Sequence, residues 1–314
     1  MIEPVRRRTD AVVHAVASRR PGVAADYAKR HRIANAYDGY EALLADPAIT
    51  LVYNCLPPSQ HARWSIAAME AGKHVLCEKP IALTAKEAEQ LRECPSDVIV
   101  MEAFMVRFHP QWQRAREIVR SGELGELRAI RAAFCYNNTD PSNVRNQADI
   151  GGGGIMDIGC YPITAGRFLF ESEPQRVVSL VDRDPDFKTD RLASVIADFG
   201  YGRQLTFTCS TQAVGHQTIE VIGTNARVEI IIPFNAPPNT GTAILVDNGA
   251  ALDKSLARRE IIRPVDQYTE QAEAFALAVL GDKPLPYGVE DSILNMRVID
   301  AVFASEKTGA WAKV

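Results

Sequence analysis

Short apolar runs alternate with helical stretches through the first hundred residues, and this rhythm constrains the fold more than any other feature of the sequence. Alternation of this kind is typical of βαβ units, whose right-handed crossovers wind the strands into a parallel sheet covered by helices. The apolar runs cover residues 11–17, 51–56, 74–77 and 98–101, and the helical stretches cover residues 22–32, 39–46, 61–71 and 84–93. The sequence therefore predicts an α/β domain with a parallel sheet at the start of the chain.

From about residue 127 the sequence becomes rich in longer strand-like segments. These segments cover residues 127–136, 176–181, 193–199, 204–211, 218–222, 226–232 and 243–246. Turn-like connections such as Gly200–Gly202 predict that consecutive strands pair antiparallel in one sheet, and two helices at residues 266–280 and 289–307 close the chain. We expect a cofactor domain over residues 1–105 and an α+β substrate-binding and oligomerisation domain over residues 106–314, with the site in the cleft between them.

Composition and charge narrow the classes of function. The chain has 314 residues, of which 46% are apolar and 24% charged, as is typical of a globular protein of about two domains. A formal charge of −4 offers no basic field, so neither nucleic acid nor a membrane surface is expected as a partner. Because the sequence contains neither a bilayer-spanning apolar run nor the apolar core of a signal peptide, we expect a cytoplasmic protein. No metal site and only reduced thiols are expected, since zinc-ligand spacing is absent among Cys55, Cys77, Cys94, Cys135, Cys160 and Cys209.

Lys79 is the first candidate site residue. It follows a predicted strand that ends at Cys77, at the carboxyl edge where ligands bind in parallel α/β sheets. Pro80 restricts Lys79 to an extended or turn conformation. A lysine in this place can carry a positive charge into the cleft, and the alternative is a solvated surface lysine. The local sequence favours neither of these two interpretations of Lys79.

A second candidate segment begins with four consecutive glycines, Gly151–Gly154, which we expect to form a flexible loop before a helix. Asp157 and Tyr161 lie four residues apart in that helix and therefore on one face. If Lys79 lies nearby, its ammonium group favours the phenolate and lowers the pKa of Tyr161, which can then act as a base. The alternative is an ordinary helix start with an exposed aspartate and a buried tyrosine.

Three segments carry a resemblance to a known family: residues 70–80 (EAGKHVLCEKP), 102–111 (EAFMVRFHPQ) and 151–162 (GGGGIMDIGCYP). They resemble the glucose–fructose oxidoreductase, inositol dehydrogenase and rhizopine-catabolism (Gfo/Idh/MocA) family, in particular its NADP-dependent D-xylose 1-dehydrogenases and dimeric dihydrodiol dehydrogenases. The resemblance implies a Rossmann-like NAD(P)-binding domain followed by an α+β domain with a large, mainly antiparallel open sheet. It also implies that the catalytic residues are Lys79, Asp157 and Tyr161, and that Glu78 and Pro80 shape the nicotinamide site.

The same resemblance places Ser18 and Arg19 at the end of the second Rossmann strand, where the adenosine ribose is bound. An arginine there can pair with the 2′-phosphate of NADP, whereas a carboxylate would favour NAD. NADP is therefore the expected cofactor, and NAD stays open, because an exposed basic turn is the alternative explanation for these residues.

The resemblance and the local sequence suggest further contacts. By the resemblance, Leu56, Pro57 and His61 lie along the cofactor and Arg107 lies near the nicotinamide. His61 has an equal alternative as a capping or surface residue. In the loop before the glycines, Arg145 and Asn146 are candidates for polar contacts to the substrate.

The chain departs from the family at its start. The family opens with a strand and a Gly-x-Gly-x-x-Gly turn that holds the pyrophosphate, and residues 1–8 instead look like the tail of the first helix. About twenty residues of the usual βα opening are not in the sequence, which reads as an N-terminally truncated Rossmann-like domain. We expect that Met1 is an internal methionine of a longer chain; a true start here would leave dinucleotide binding deficient.

The leading hypothesis is an NADP-dependent oxidoreductase that oxidises a hydroxyl of a sugar or polyol, with the C1 hydroxyl of an aldose favoured. A trans-dihydrodiol dehydrogenase and a sugar ketoreductase are the enzymatic alternatives, and a non-catalytic sugar-binding or regulatory protein is the alternative from another class. We also expect a homo-oligomer, with a dimer favoured, because an open sheet with one apolar face needs a cover.

Overall fold

The computed structural model describes residues 1–8, 11–93, 95 and 97–314, so Cys94 lies outside the described residues. The helices are α1 (Ile2–Arg8), α2 (Val23–His31), α3 (Tyr40–Leu44), α4 (His61–Glu70), α5 (Ala85–Glu89), α6 (Pro110–Arg120), α7 (Cys160–Phe170), α8 (Gln267–Val279) and α9 (Val289–Thr308). The strands are β1 (Ala15–Ser18), β2 (Asn35–Asp38), β3 (Leu51–Asn54), β4 (His74–Glu78), β5 (Val100–Ala103), β6 (Leu127–Asn137), β7 (Arg176–Arg183), β8 (Asp190–Asp198), β9 (Gln204–Ser210), β10 (Gln212–Gly223), β11 (Arg227–Ile230), β12 (Thr242–Asp247), β13 (Arg258–Ile262) and β14 (Ala312–Lys313). Within the described ranges, no helix is long and apolar enough to cross a bilayer.

The strands of the first third pair parallel, as predicted, but they form two sheets, and one of the five strands, β2, was not predicted. β1 pairs with β2, and β4 lies between β3 and β5 in a three-stranded sheet. The carboxyl ends of these three strands, at Asn54, Glu78 and Ala103, therefore lie at one edge of the sheet. The segment that contains Lys79 begins at this edge, which is where ligands bind in parallel α/β sheets.

The second half of the chain forms a nine-stranded sheet in the order β13-β12-β11-β10-β6-β9-β8-β7-β14. Its pairs are antiparallel, with one difference from the prediction: β6 and β9 run parallel. β10 follows β9 directly but pairs with β6 on its other side, so the long β6 lies between the two. The mainly antiparallel sheet is confirmed, although consecutive strands are not always neighbours.

One face of this sheet is buried and the other is open. Along β8, Ala193, Val195 and Ala197 are buried, whereas Leu192 and Ile196 alternate with them and are each 43% exposed. The buried face packs against helices that include α7, all of whose residues are buried, and α9. Because successive side chains of a strand point to opposite faces of the sheet, β8 carries apolar side chains on both of its faces.

Candidate active site

Lys79 is buried and paired. Its Nζ donates a 3.0 Å hydrogen bond to Oδ1 of Asp157 and a second hydrogen bond to the main-chain oxygen of the same residue. Only 12% of its side chain is exposed, so the alternative of a solvated surface lysine does not describe this residue. Burial alone would lower the pKa of Lys79, but the charge of Asp157 outweighs it and raises the pKa above the ordinary value. The ammonium group is therefore held charged.

Asp157 is the centre of the cluster. It lies in a π-helical turn, Ile155–Gly159, that leads into α7. Its second oxygen, Oδ2, accepts hydrogen bonds from the Tyr136 hydroxyl at 2.7 Å and from Nε of Arg145 at 2.9 Å. Burial would raise its pKa, but Lys79, Arg145 and the Tyr136 hydrogen bond lower the pKa of Asp157 to about 2. The carboxylate stays ionised at neutral pH.

Tyr136 was not among the residues predicted from the sequence. The residues of β6 at positions 130, 132 and 134 are buried, and Tyr136 continues this alternation on the same face. The alternation was a usable signal for its direction, but its partner Asp157 lies 21 residues away in the sequence. Only the packing of the π-helical turn against the sheet brings the two together.

Tyr161 borders the cluster without a hydrogen bond to it. The Lys79 Nζ lies 5.1 Å from the centroid of the Tyr161 ring, whose hydroxyl faces Sδ of Met105 at 3.5 Å. The ring packs among Phe104, Phe134 and Phe234, and the whole residue is 6% exposed. Burial raises the pKa of Tyr161 well above its ordinary value, opposite in direction to the lowering that we expected from Lys79.

The four glycines are closely packed, contrary to the flexible loop that we expected. A side chain at Gly152 would lie 2.6 Å from the main-chain oxygen of Arg145, and one at Gly153 would meet the carboxylate of Asp190. That carboxylate also accepts a 2.5 Å hydrogen bond from the amide of Ile155 at the start of the π-helical turn. The glycines therefore allow the close approach that fixes the start of this turn and the place of Asp157 within it.

His61 joins two segments at the edge of the three-stranded sheet. Its Nδ1 lies 2.7 Å from the main-chain oxygen of Pro80, and its Nε2 lies 2.5 Å from that of Leu56. The residue is 1% exposed, so it is not a surface histidine, and the ring itself does not line an open cleft. Its contacts instead hold the segment of Leu56 and Pro57 against the segment that carries Lys79.

Two other predicted residues have structural partners. Arg107 is 2% exposed, its Nη1 contacts Asp291 Oδ2 at 2.5 Å, and its guanidinium lies 3.5 Å from the centroid of the Tyr287 ring. These contacts make Arg107 a buried cation, and its expected place beside the nicotinamide stays a prediction. Asn146 is also buried and donates to main-chain oxygens of Asn138 and Asp140, so it does not share the site with Arg145.

Polar and charged side chains lie at the ends of the parallel strands. Arg19 follows β1, is exposed, and in the described part of the chain pairs with no carboxylate, so its charge is available to a phosphate. Beside it, the Ser18 hydroxyl accepts a hydrogen bond from the amide of Arg20. Glu78 ends β4, and its carboxylate accepts a hydrogen bond from the Tyr53 hydroxyl. A buried ammonium, Lys79, follows directly and can bind a substrate oxygen.

Family models match both halves of the chain. A family model described as "Oxidoreductase family, NAD-binding Rossmann fold" matches residues 1–100, and one described as "GFO/IDH/MocA C-terminal domain" matches residues 112–229. An uncharacterized oxidoreductase of Rhizobium meliloti is 43% identical over 96% of this chain and 91% of its own length. D-xylose 1-dehydrogenase (NADP(+)) 2 of Haloferax volcanii is 35% identical over 98% of this chain and 93% of its own length.

Solved structures extend the likeness to the whole fold. A 3-ketoreductase from Actinomadura kijaniata, crystallised with NADP and TDP-benzene, superposes with a TM-score of 0.89 and 28% sequence identity. The match covers 97% of this chain and 92% of the reductase. The expected order of a Rossmann-like domain and a sheet-rich domain is confirmed.

Proposed function

The chain belongs to the GFO/IDH/MocA family of oxidoreductases, and we propose that it is an NADP-dependent dehydrogenase that oxidises a sugar or polyol hydroxyl, with C1 of an aldose preferred. The observation that carries the proposal is the buried ion pair of Lys79 and Asp157 at the carboxyl edge of the parallel sheet. An ammonium group held charged in this place can bind the oxygen of a reacting carbinol and stabilise negative charge that develops on it.

A bound nicotinamide nucleotide supplies the hydride acceptor in this reaction. Lys79 would bind the substrate oxygen, and Asp157 keeps Lys79 charged and in position. In oxidation the phenolate form of Tyr161 would accept the proton of the substrate hydroxyl, and in reduction the phenol would donate a proton to the carbonyl oxygen. Because the pKa of Tyr161 is raised, its phenol is protonated at neutral pH, and oxidation should therefore accelerate as the pH rises.

NADP is preferred over NAD in the proposal because of Arg19. Its exposed guanidinium at the end of β1 has the charge and geometry to pair with a ribose 2′-phosphate. Ser18 would contact the cofactor at the same adenosine ribose. Leu56 and Pro57, with Glu78 and Pro80, would line the remainder along the edge of the three-stranded sheet.

The second candidate is a sugar ketoreductase, the reverse direction of the same chemistry. The protonated state of Tyr161 favours it, since a phenol can donate its proton to a carbonyl oxygen at neutral pH. The structural likeness to the Actinomadura 3-ketoreductase gives it further support.

The test is a substrate panel measured through nicotinamide absorbance with NADP⁺ and NAD⁺. It contains D-xylose, D-glucose, inositol and a trans-dihydrodiol, and a keto-sugar with NADPH for the reverse direction. We expect an aldose with NADP⁺ to give the highest kcat/KM, and Lys79→Met to lower it by at least about a hundredfold. Turnover of the dihydrodiol or the keto-sugar alone would contradict the aldose assignment.

Lys73→Met is the matched control. Lys73 is also buried, and its Nζ also donates to a main-chain oxygen, that of Asp46, at 2.9 Å. If both variants lose activity equally, the loss reflects the removal of a buried lysine, and the proposed role of Lys79 is wrong.

The remaining expectations are proposals as well. We propose that residues 1–105 and 106–314 act as the cofactor and substrate domains, and that the protein works in the cytoplasm. We further propose a homodimer in which the open face of the nine-stranded sheet is covered by its copy, because that face exposes Leu180, Leu192 and Ile196.

A further inference from the structure

The carboxylate of Asp157 has its two oxygens engaged on opposite sides. Oδ1 accepts from Lys79 at 3.0 Å, and Oδ2 accepts from the Tyr136 hydroxyl at 2.7 Å and from Arg145 at 2.9 Å. The orientation of the carboxylate toward Lys79 therefore depends on what holds Oδ2. Two groups donate to Oδ2, the Tyr136 hydroxyl and the Arg145 guanidinium, and their side chains are constrained to different degrees.

Arg145 is the looser of the two donors. Its side chain is 47% exposed and belongs to a short 3₁₀ turn, Val144–Asn146, in the segment between β6 and the glycines. A long, partly exposed side chain loses conformational entropy when it is fixed in one ion pair, which offsets part of the attraction between Arg145 and Asp157. Because its side chain is long and about half exposed, Arg145 has other rotamers available to it than the one that pairs with Asp157.

Tyr136 is the firmer donor. It is the penultimate residue of β6, between Cys135, which pairs with both β9 and β10, and Asn137, which pairs with Gln212 of β10. Tyr136 itself lies opposite the irregular part of β10, between Gln212 and His216, and is held by its paired neighbours in the strand. Side chains on a central strand are placed more accurately than side chains on a loop. The phenol has one proton, and its geometry directs that proton to Oδ2.

We propose that Tyr136 is a positioning residue that fixes the Asp157 carboxylate so that Oδ1 stays on Lys79, including when Arg145 turns to a substrate. The inference rests on the proposed function for its effect on turnover, but the contact itself does not. Tyr136 acts through Asp157 and transfers no proton to substrate, because its proton is already donated to Oδ2. Burial, followed by the charge of Asp157, raises the pKa of Tyr136, which keeps this proton in place.

The test compares Tyr136→Phe with Tyr37→Phe. The Tyr37 hydroxyl donates to Oδ2 of Asp46 at 2.8 Å, so the control removes the same kind of hydrogen bond from another tyrosine–aspartate pair. We expect Tyr136→Phe to lower kcat about tenfold to a hundredfold, as is typical for loss of a hydrogen bond to a charged group, with the KM for nucleotide unchanged. We expect Tyr37→Phe to leave kcat at the wild-type value.

A second readout separates positioning from packing and does not need turnover. The Asp157 carboxyl group is titrated by carbon NMR in the wild type and in Tyr136→Phe, with Asp157→Asn to assign the signal. Loss of the hydrogen bond moves the midpoint upward from about 2, and the acid limb of kcat/KM moves with it. An unchanged midpoint in a folded Tyr136→Phe protein overturns the proposal.

The outcomes distinguish this inference from the proposed function. A raised midpoint in a protein that oxidises none of the sugars supports the positioning role and contradicts the proposed reaction. Replacement of Tyr136 by 3-fluorotyrosine keeps the ring and the hydroxyl and should retain both the wild-type kcat and the low midpoint, which tests the proposal even if Tyr136→Phe fails to fold. If 3-fluorotyrosine is as damaging as Phe, the ring environment and not the hydrogen bond is responsible, and the proposal is wrong.

Discussion

Glu102 is a buried ionisable residue near the site whose carboxyl group has an incomplete set of hydrogen-bond partners in the described part of the chain. It lies on β5, is 1% exposed, and its Oε1 accepts a 2.8 Å hydrogen bond from the amide of Ile81, two residues after Lys79. Its Oε2 has no hydrogen-bond partner among the described residues. Burial raises the pKa of Glu102 to about 7, against the opposing charge of Arg107. The protonation of this group therefore changes within the physiological range.

The raised pKa has a definite consequence for stability. The folded protein binds this proton more tightly than the unfolded chain, whose glutamate has the ordinary value of 4.5, so stability is lost as the pH rises between 4.5 and about 7. We expect the free energy of unfolding of the wild type, relative to Glu102→Gln, to fall by about 3 kcal/mol between pH 4.5 and pH 8. Urea denaturation across this range measures the difference.

The control for this titration is Glu70→Gln, because Glu70 is an exposed glutamate at the end of α4. Measured in parallel, it reports the effect of a glutamate-to-glutamine change at an exposed position. A difference between wild type and Glu102→Gln that stays flat across the range would mean that folding does not change the affinity of Glu102 for its proton, and the raised pKa would be wrong.

The limits of prediction from the sequence are also visible at single residues. The positions of Lys79 and Asp157 followed from a strand end and a family motif, and the structure brings the two into contact. The hydrogen bond of Tyr136 and the two carbonyl contacts of His61 did not follow, because each joins segments whose proximity is set by tertiary packing. The same packing, by enclosing Tyr161 among aromatic rings, reverses the direction expected for its pKa.

At the scale of elements, the glycines before α7 decide where Asp157 lies. Gly153 has φ of +122°, and an added side chain there would meet the carboxylate of Asp190, which already binds the amide of Ile155. The spacing of Asp157 and Tyr161 was correctly assigned to a helical segment, but the local sequence did not predict that this segment begins with a π-helical turn. That turn depends on the contacts with β8, which are remote in sequence.

Gly153→Ala should therefore destabilise both the fold and the site. We expect a loss of at least about 3 kcal/mol in the free energy of unfolding, from backbone strain and displacement of the Asp190 carboxylate, together with a lower kcat. Gly202→Ala is the matched control, since Gly202 also has positive φ, +75°, but a side chain there meets nothing within 4 Å. The control should cost about 1 kcal/mol, from backbone strain alone. Equal losses in the two variants would mean that the contact with Asp190 contributes nothing.

At the scale of the whole molecule, the order of elements and the presence of two kinds of sheet were predictable, because periodicities of two and 3.6 residues are local properties of the sequence. The order of strands in the large sheet was not. β6 and β9 are parallel neighbours although the paired residues Ala129 and Gln204 are 75 positions apart in the sequence, and no local pattern encodes such a pairing. The periodicity of the sequence also did not predict β13 and β14, which are short strands at the two edges of this sheet.

The open face of that sheet leads to the last prediction. Leu180 of β7 is 79% exposed, and it lies on the same face as Leu192 and Ile196 of β8, a grouping of apolar side chains that is unfavourable in water. In the homodimer that we propose, this face packs on its copy, so Leu180→Glu would place a charge in the interface and weaken association by at least about a hundredfold. Leu252→Glu is the control, because Leu252 is 98% exposed but lies outside the sheet. Sedimentation velocity over a range of concentrations should give a dimer for the wild type and the control and a monomer for Leu180→Glu; a wild-type monomer, or a dimer that is unchanged in Leu180→Glu, would assign the contact elsewhere.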